Sequence, residues 1–199
     1  HGTLSARADG LNKEGTMSQE VNQLLDWSPS PALAALPTIS AKAHCNSMRH
    51  FAVGVVLITG RDGHAQAGLT ATAVCSVTAD PPRLVVFVNK NVVARQIIMD
   101  SGALCVNVLA GDQEEIAKVF AGMVKDVHGD ARFQYGHWSQ QVTGAPSLDN
   151  ALTSFDCRVI KVFDESTHNA FLCEVLSTRE RNDGEALVYL NGAFRRISQ

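Results

Sequence analysis

No apolar run in this chain is long enough to cross a membrane. The strongest, Phe51–Thr59, is broken by Gly54 and falls well short of the roughly 20 residues that a spanning helix needs. Cys-x-x-Cys pairs are missing too. The five cysteines (Cys45, Cys75, Cys105, Cys157, Cys173) are odd in number and widely spaced. That argues against a disulfide framework or a structural zinc site, and for buried, reduced thiols in a cytoplasmic protein. None of the seven histidines stands four residues from another, so the helical pair of a zinc hydrolase is absent and no metal is expected. The chain has no Gly-x-Gly-x-x-Gly for a Rossmann site, no P-loop and no Gly-x-Ser-x-Gly elbow. A net charge of -3 gives no electrostatic reason to expect nucleic acid or an anionic membrane as partner.

What remains is an ordinary globular composition, 45% hydrophobic and 19% charged over 199 residues, enough for one domain with a sizeable core. The chain opens on His1, and Met17 follows a polar stretch, so residues 1–16 are expected to be an upstream extension outside the fold. Residues 17–40, with Pro29, Pro31 and Pro37, read as an arm or a short helix leading into the domain, not as a separate unit. The domain itself is expected over 41–199.

Within it, Ala41–Phe51 suits a short helix, and Val53–Thr59 is a β-branched strand that turns at Gly60-Arg61-Asp62-Gly63 into a partner over Ala65–Leu69. His64, beside that turn, is expected to be exposed. Val74–Thr78 and Leu84–Asn89 are strands split by Asp80-Pro81-Pro82, which forces a sharp connection. Asn91 is expected to cap a helix with Val93, Ile97 and Ile98 on one side, ending at Gly102. Leu104–Leu109 is a short buried strand. Asp112-Gln113-Glu114-Glu115 has capping-box spacing ahead of Ile116, Val119, Phe120 and Met123 at helical intervals. A long polar connection, Lys125–Pro146, carries His128, His137 and Trp138, which read as loop anchors; loops of that length often cover a site. Strands return at Phe155–Phe163, Ala170–Thr178, Ala186–Leu190 and Ala193–Ile197, punctuated by Asn182-Asp183-Gly184 and Asn191-Gly192. The pattern is mainly β with some α: a β-barrel decorated by a few helices.

The most unusual stretch is Gly68–Thr78, where Thr70, Ala71, Thr72, Ala73, Val74, Cys75 and Ser76 stand in place of bulky strand residues. One reading is a tightly packed or edge strand with threonines suited to the pleat. The other is a cradle: small side chains let a flat ring approach the backbone, while amides and hydroxyls serve its carbonyl oxygens and a phosphate, as a flavin requires. Asn89-Lys90-Asn91 lies at a strand-to-helix junction suited to the phosphate, with Arg95 one turn along as a second cation or a solvated surface residue.

Arg49–Val56 resembles the opening strand of the flavin reductase-like FMN-binding domain family. So do Leu69–Thr78 with Asp80-Pro81-Pro82, Val119-Phe120-Ala121-Gly122, Gly144–Leu148 and Leu187–Gly192, in the family's order over roughly 41–197. The resemblance implies a Greek-key split β-barrel with peripheral helices, usually a homodimer with flavin near the subunit interface. It implies FMN or FAD as cofactor and NADH or NADPH as electron donor. By motif position it places Thr70–Ser76 on the ring and ribityl chain, Asn89, Lys90, Asn91 and Arg95 toward the phosphate, and Phe120 and Ala121 on the ring side. Where the family often has Gly-Asp-His, this chain reads Glu165-Ser166-Thr167-His168; the histidine is kept, which makes His168 the expected catalytic-pocket residue. Its other reading is a turn histidine. Tyr189 either packs near the flavin or is an ordinary half-buried barrel tyrosine.

Hydride transfer needs alignment more than acid–base chemistry. The first functional expectation is therefore an NAD(P)H-dependent flavin reductase supplying a partner monooxygenase. A second is a flavoenzyme reducing a corrin, as the cob(II)yrinic acid a,c-diamide reductase of cobalamin biosynthesis does. A third is a flavin- or haem-binding split barrel without turnover.

Overall fold

A computed structural model describes residues 27–181 and 183–198; the expected extension over 1–16 lies outside them. By spatial contact the chain divides into residues 1–39 and 40–199. The first unit contributes one described helix, α1 (Pro31–Ala34), whose N-cap Ser30 accepts from the Leu33 amide. The second begins with α2 (Ala41–Met48), capped by Ser40, and holds everything else.

Its strands follow the sequence pattern closely. After the short β1 (Val53–Gly54) come the hairpin β2 (Val56–Arg61) and β3 (Gln66–Ala71). Asp62 closes that turn by accepting from the amides of His64 and Ala65, and His64 is exposed as expected. Next are β4 (Val74–Ala79), β5 (Pro82–Asn89), α3 (Val93–Ser101), β6 (Ala103–Val108) and α4 (Glu114–Phe120). The connection after α4 carries β7 (Trp138–Gln140), and β8 (Pro146–Leu148) begins at its last residue. The last third is β9 (Thr153–Glu165), β10 (His168–Glu180), β11 (Ala186–Leu190) and β12 (Ala193–Ile197).

Seven strands form one antiparallel sheet in the order β3-β2-β6-β9-β10-β5-β4. Its two edge strands are joined by only Thr72 and Ala73. Laid flat, edges six strand spacings apart would lie roughly 29 Å from one another. The three steps from Ala71 to Val74 reach about 11 Å at most. The sheet must therefore curl until its edges meet, which is the split barrel. Inside it pack Val56, Ile58, Leu84, Val86, Leu104 and Phe171. On the outside of β2, Leu57 joins Leu109, Val119, Phe120 and Leu148 in a second core. Because β2 is buried on both faces up to Gly60, it opens with three apolar residues in succession, Val56-Leu57-Ile58, rather than an alternation.

Several local expectations differ from the structure. The N-cap of α3 is Val92, without a side-chain cap; Asn91 instead donates its amide to the side chain of Asn89. Ala94, Ile97 and Ile98 form the buried face and Val93 points outward; the helix starts one residue later than an Asn91 cap requires. Gly102 does end the helix, in the left-handed region at φ 66°. Ahead of α4, a 3₁₀ turn (Gly111–Gln113) intervenes, and Gln113, not Asp112, closes it by accepting from the Ala110 amide. Met123 falls beyond that helix and is exposed. Of the cysteines, Cys105, Cys157 and Cys173 are buried, but Cys45 and Cys75 are exposed, because the helix and edge strand that carry them are uncovered. The polar connection is not structureless: Phe133 and Trp138 leave it to pack against Phe120, with centroids 5.1 and 5.5 Å away.

Candidate functional site

A groove runs along β3, whose outer edge has no strand partner. Its larger cavity, about 410 Å³, is lined by Gly68, Leu69, Asn91, Ala94, Phe120 and Arg132 among others. A smaller one, about 210 Å³, is lined by Val55, Thr70, Ala71, Thr72, Ala121, Met123, Tyr189 and Phe194. Ala121 belongs to both, so the two are neighbours at the C-terminal end of α4.

Local structure explains the openness of the groove. Gly68 is buried, and a Cβ there would meet the Phe120 ring at 2.8 Å, so glycine is what lets β3 lie flush on the aromatic cluster. The hydroxyl of Thr70 donates to the Ala117 carbonyl at 2.6 Å and pins β3 to α4. Past that point the wall is made of alanines and a threonine, which leave the space open.

The expected site residues fall into four groups. Thr70, Ala71, Thr72, Ala121 and Tyr189 come together at the smaller cavity, where Tyr189 also packs edge-on against Phe194. Asn91, Phe120 and Ala121 line the larger one. Asn89, Lys90, Arg95 and His168 form a separate cluster where β5 meets β10. There the Lys90 ammonium pairs with Asp164, and its hydrogen bond holds that carboxyl below its usual range. Arg95 donates from Nε to Asn169 at 2.8 Å, and Asn169 in turn donates to Asp164. His168 stands opposite Asn89, half-buried, with Nδ1 2.8 Å from the Thr167 hydroxyl, and is not among the residues lining either cavity. The end of the small-residue run also leaves the groove. Ala73 accepts from the Phe87 amide, Val74 packs on the barrel core, and Cys75 and Ser76 are exposed on the edge strand β4.

Sequence reasoning passed over Arg132, His128, Met123 and Phe194 as groove residues. Arg132 and His128 sit in the long connection, where only its length pointed to a site. Met123 and Phe194 reach the groove through tertiary packing that leaves no local pattern.

These features suit a flavin nucleotide. Small side chains border a long groove, a strand edge offers main-chain groups to a heterocycle, and an arginine with a buried, unpartnered Nε lines one end. Among the described residues no cluster of His, Cys, Asp or Glu is arranged to hold a metal. Residues 48–198 match the flavin reductase like domain.

The chain belongs to the flavin reductase-like domain family. It is 40% identical over 153 residues to the FMN reductase (NADH) RutF of Stutzerimonas stutzeri, covering 77% of this chain and 86% of the relative. It is 37% identical over 156 residues to the 4-hydroxyphenylacetate 3-monooxygenase reductase component of Pseudomonas aeruginosa, covering 78% and 91%. The solved NADH:FAD oxidoreductase SgcE6 of Streptomyces globisporus, in complex with NAD and FAD fragments, superposes with a TM-score of 0.71 at 26% identity, covering 82% and 98%. As a flavin reductase-like domain, the chain has the split barrel that the β3–β4 closure requires.

Proposed function

We propose that this protein is an NADH-dependent flavin reductase that reduces FMN, or FAD, and passes the reduced flavin to a partner monooxygenase. The observation that carries this reading is the β3 groove, where two cavities meet at Ala121 beside an unpaired strand edge. The names of the relatives support the rest: NADH as donor, FMN or FAD as acceptor, and a monooxygenase as consumer. They also favour this reading over reduction of a corrin or binding without turnover.

Bound flavin supplies the hydride-accepting ring. The chain's part is alignment. Ala71, Thr72 and Ala121 leave room for a planar ring against the backbone, and Tyr189 and Phe194 wall one side of it. Phe120, fixed by Phe133 and Trp138, keeps the floor of the groove rigid. His168 orients the nicotinamide donor from the Asn89–Asn91 junction and is not required to move a proton.

The working form is a homodimer formed through the outer face of β4, β5, β10 and β9. Two rows of cross-strand partners on that face are mostly apolar: Cys75, Val85 and Leu172 in one, Phe87, Ala170 and Phe163 in the other. Phe87 and Phe163 are each 37% exposed, an aromatic patch on which Lys161 Nζ lies 4.9 Å from the Phe163 ring centroid. The unpaired state of all five cysteines supports a cytoplasmic location. No helix of the described residues is long and apolar enough to cross a membrane.

The test is anaerobic mixing of purified protein with NADH and FMN. Loss of the flavin's visible absorbance at a rate proportional to enzyme supports the reading. Tight flavin retention with electron transfer to a cob(II) corrin would favour the rival reductase.

A further inference from the structure

Arg132 lies on the short 3₁₀ segment Gly129–Gln134 and lines the larger cavity together with Gly68, Asn91 and Phe120. Its Nε is buried and has no hydrogen-bond partner. One contact is formed, from Nη1 to the Gly68 carbonyl at 3.5 Å, the long limit of a hydrogen bond. Among the described residues no carboxylate forms an ion pair with it.

A buried donor on a cation without a partner is costly, so such an arrangement is retained where a ligand supplies the anion. The surroundings say which kind. Among the described residues no Asp or Glu lines this cavity, so no carboxylate of its wall repels an anion. Val92, Val93 and Ala94, the uncapped start of α3, line it and add the positive end of a helix. The two cations expected from sequence to serve a phosphate are engaged elsewhere, Lys90 by Asp164 and Arg95 by Asn169 and Gln96. Among the described residues Arg132 is the one arginine or lysine that lines the cavity, and a guanidinium fork matches two phosphate oxygens.

The geometry points to Arg132 as the residue that recognises the phosphate of a bound nucleotide, an inference that rests on the nucleotide-dependent flavin reduction proposed above. The phosphate comes either from the monoester of FMN or from the diphosphate of the nicotinamide donor. Both sources present the same chemistry to the guanidinium.

The experiment compares wild type with Arg132→Ala and Arg132→Lys on two substrate pairs: FMN against riboflavin, and NADH against reduced nicotinamide riboside. In Arg132→Ala the kcat/KM preference for the phosphate-bearing member of one pair falls by about tenfold or more, and Arg132→Lys, which keeps the charge but loses the fork, restores part of it. A change in the FMN pair assigns the flavin phosphate; a change in the donor pair assigns the diphosphate. If both preferences stay within about twofold of wild type in a variant with unaltered melting, Arg132 only packs and the inference is wrong. Should Arg132→Ala unfold, Arg132→Lys and Arg132→Gln carry the same comparison. Equilibrium titrations of FMN against riboflavin and of NAD against nicotinamide riboside give the same ratios without turnover. A failure of the reductase reading is thereby separable from a failure of this one.

Discussion

Arg83 and Glu174 face each other across β5 and β10, with Arg83 Nη2 donating to Glu174 Oε1 at 2.9 Å, while Arg158 takes the other carboxylate oxygen from β9. This Arg–Glu–Arg bridge borders the apolar rows of Val85, Leu172, Phe87 and Ala170 on the same outer face. Hydrogen bonds from Arg83 first, then from Arg158, hold the Glu174 carboxyl below its usual range.

A lowered folded-state value means that Glu174 stabilises the protein above the usual carboxylate range, and that this contribution is lost as pH falls through the folded value. Glu174→Gln is therefore expected to melt earlier than wild type at neutral pH, with the gap closing in acid. Thermal melts across pH at one protein concentration check this; a gap that is constant with pH contradicts it.

Phe87 is the centre of the proposed dimer face, between Val85 on its own strand and Ala170 opposite. Phe87→Asp buries a charge there, and the dimer dissociation constant is expected to rise by at least about tenfold, or about 1.4 kcal/mol. Sedimentation velocity reads the shift. A wild type that is monomeric at all concentrations removes the dimer.

Asn107 is fully buried and ties the long connection to the barrel. Its Nδ2 donates to the Leu57 carbonyl and the Thr59 hydroxyl, and its Oδ1 accepts from the Leu148 amide at 2.8 Å. Asn107→Leu strands that amide and should cost about 1–3 kcal/mol in urea unfolding. Because β8 anchors the connection that carries Arg132, the variant is also expected to bind FMN less tightly.

His168→Ala is expected to raise KM for NADH by about tenfold while the FMN dissociation constant moves by less than about threefold. Steady-state kinetics and a fluorescence titration separate the two. Equal changes would place His168 on the flavin rather than on the donor.

The barrel was legible because its signals are local: the Asp62 turn, the Pro81-Pro82 break, the Gly102 stop and the Asn191-Gly192 turn each coincide with an element boundary. The small-residue run pointed to the groove for a sound reason, since Thr70, Ala71 and Thr72 do line it. Cys75 and Ser76, two and three residues past the β3–β4 connection, stand exposed on the edge strand β4 and line neither cavity. The cations were harder. Whether Lys90 or Arg132 faces a cavity depends on Asp164 and Gly68, which are distant in sequence and meet them only through tertiary structure.

The proposed reductase holds flavin in the β3 groove for reduction by NADH. Anaerobic stopped-flow mixing of the protein with FMN and NADH, repeated with Ala121→Trp to fill the junction of the two cavities, tests it most directly. Wild type should bleach the flavin at a rate set by enzyme concentration, and Ala121→Trp should slow that by about a hundredfold or more while keeping the wild-type circular dichroism spectrum. Undiminished flavin reduction by a folded Ala121→Trp protein would exclude the β3 groove as the flavin site.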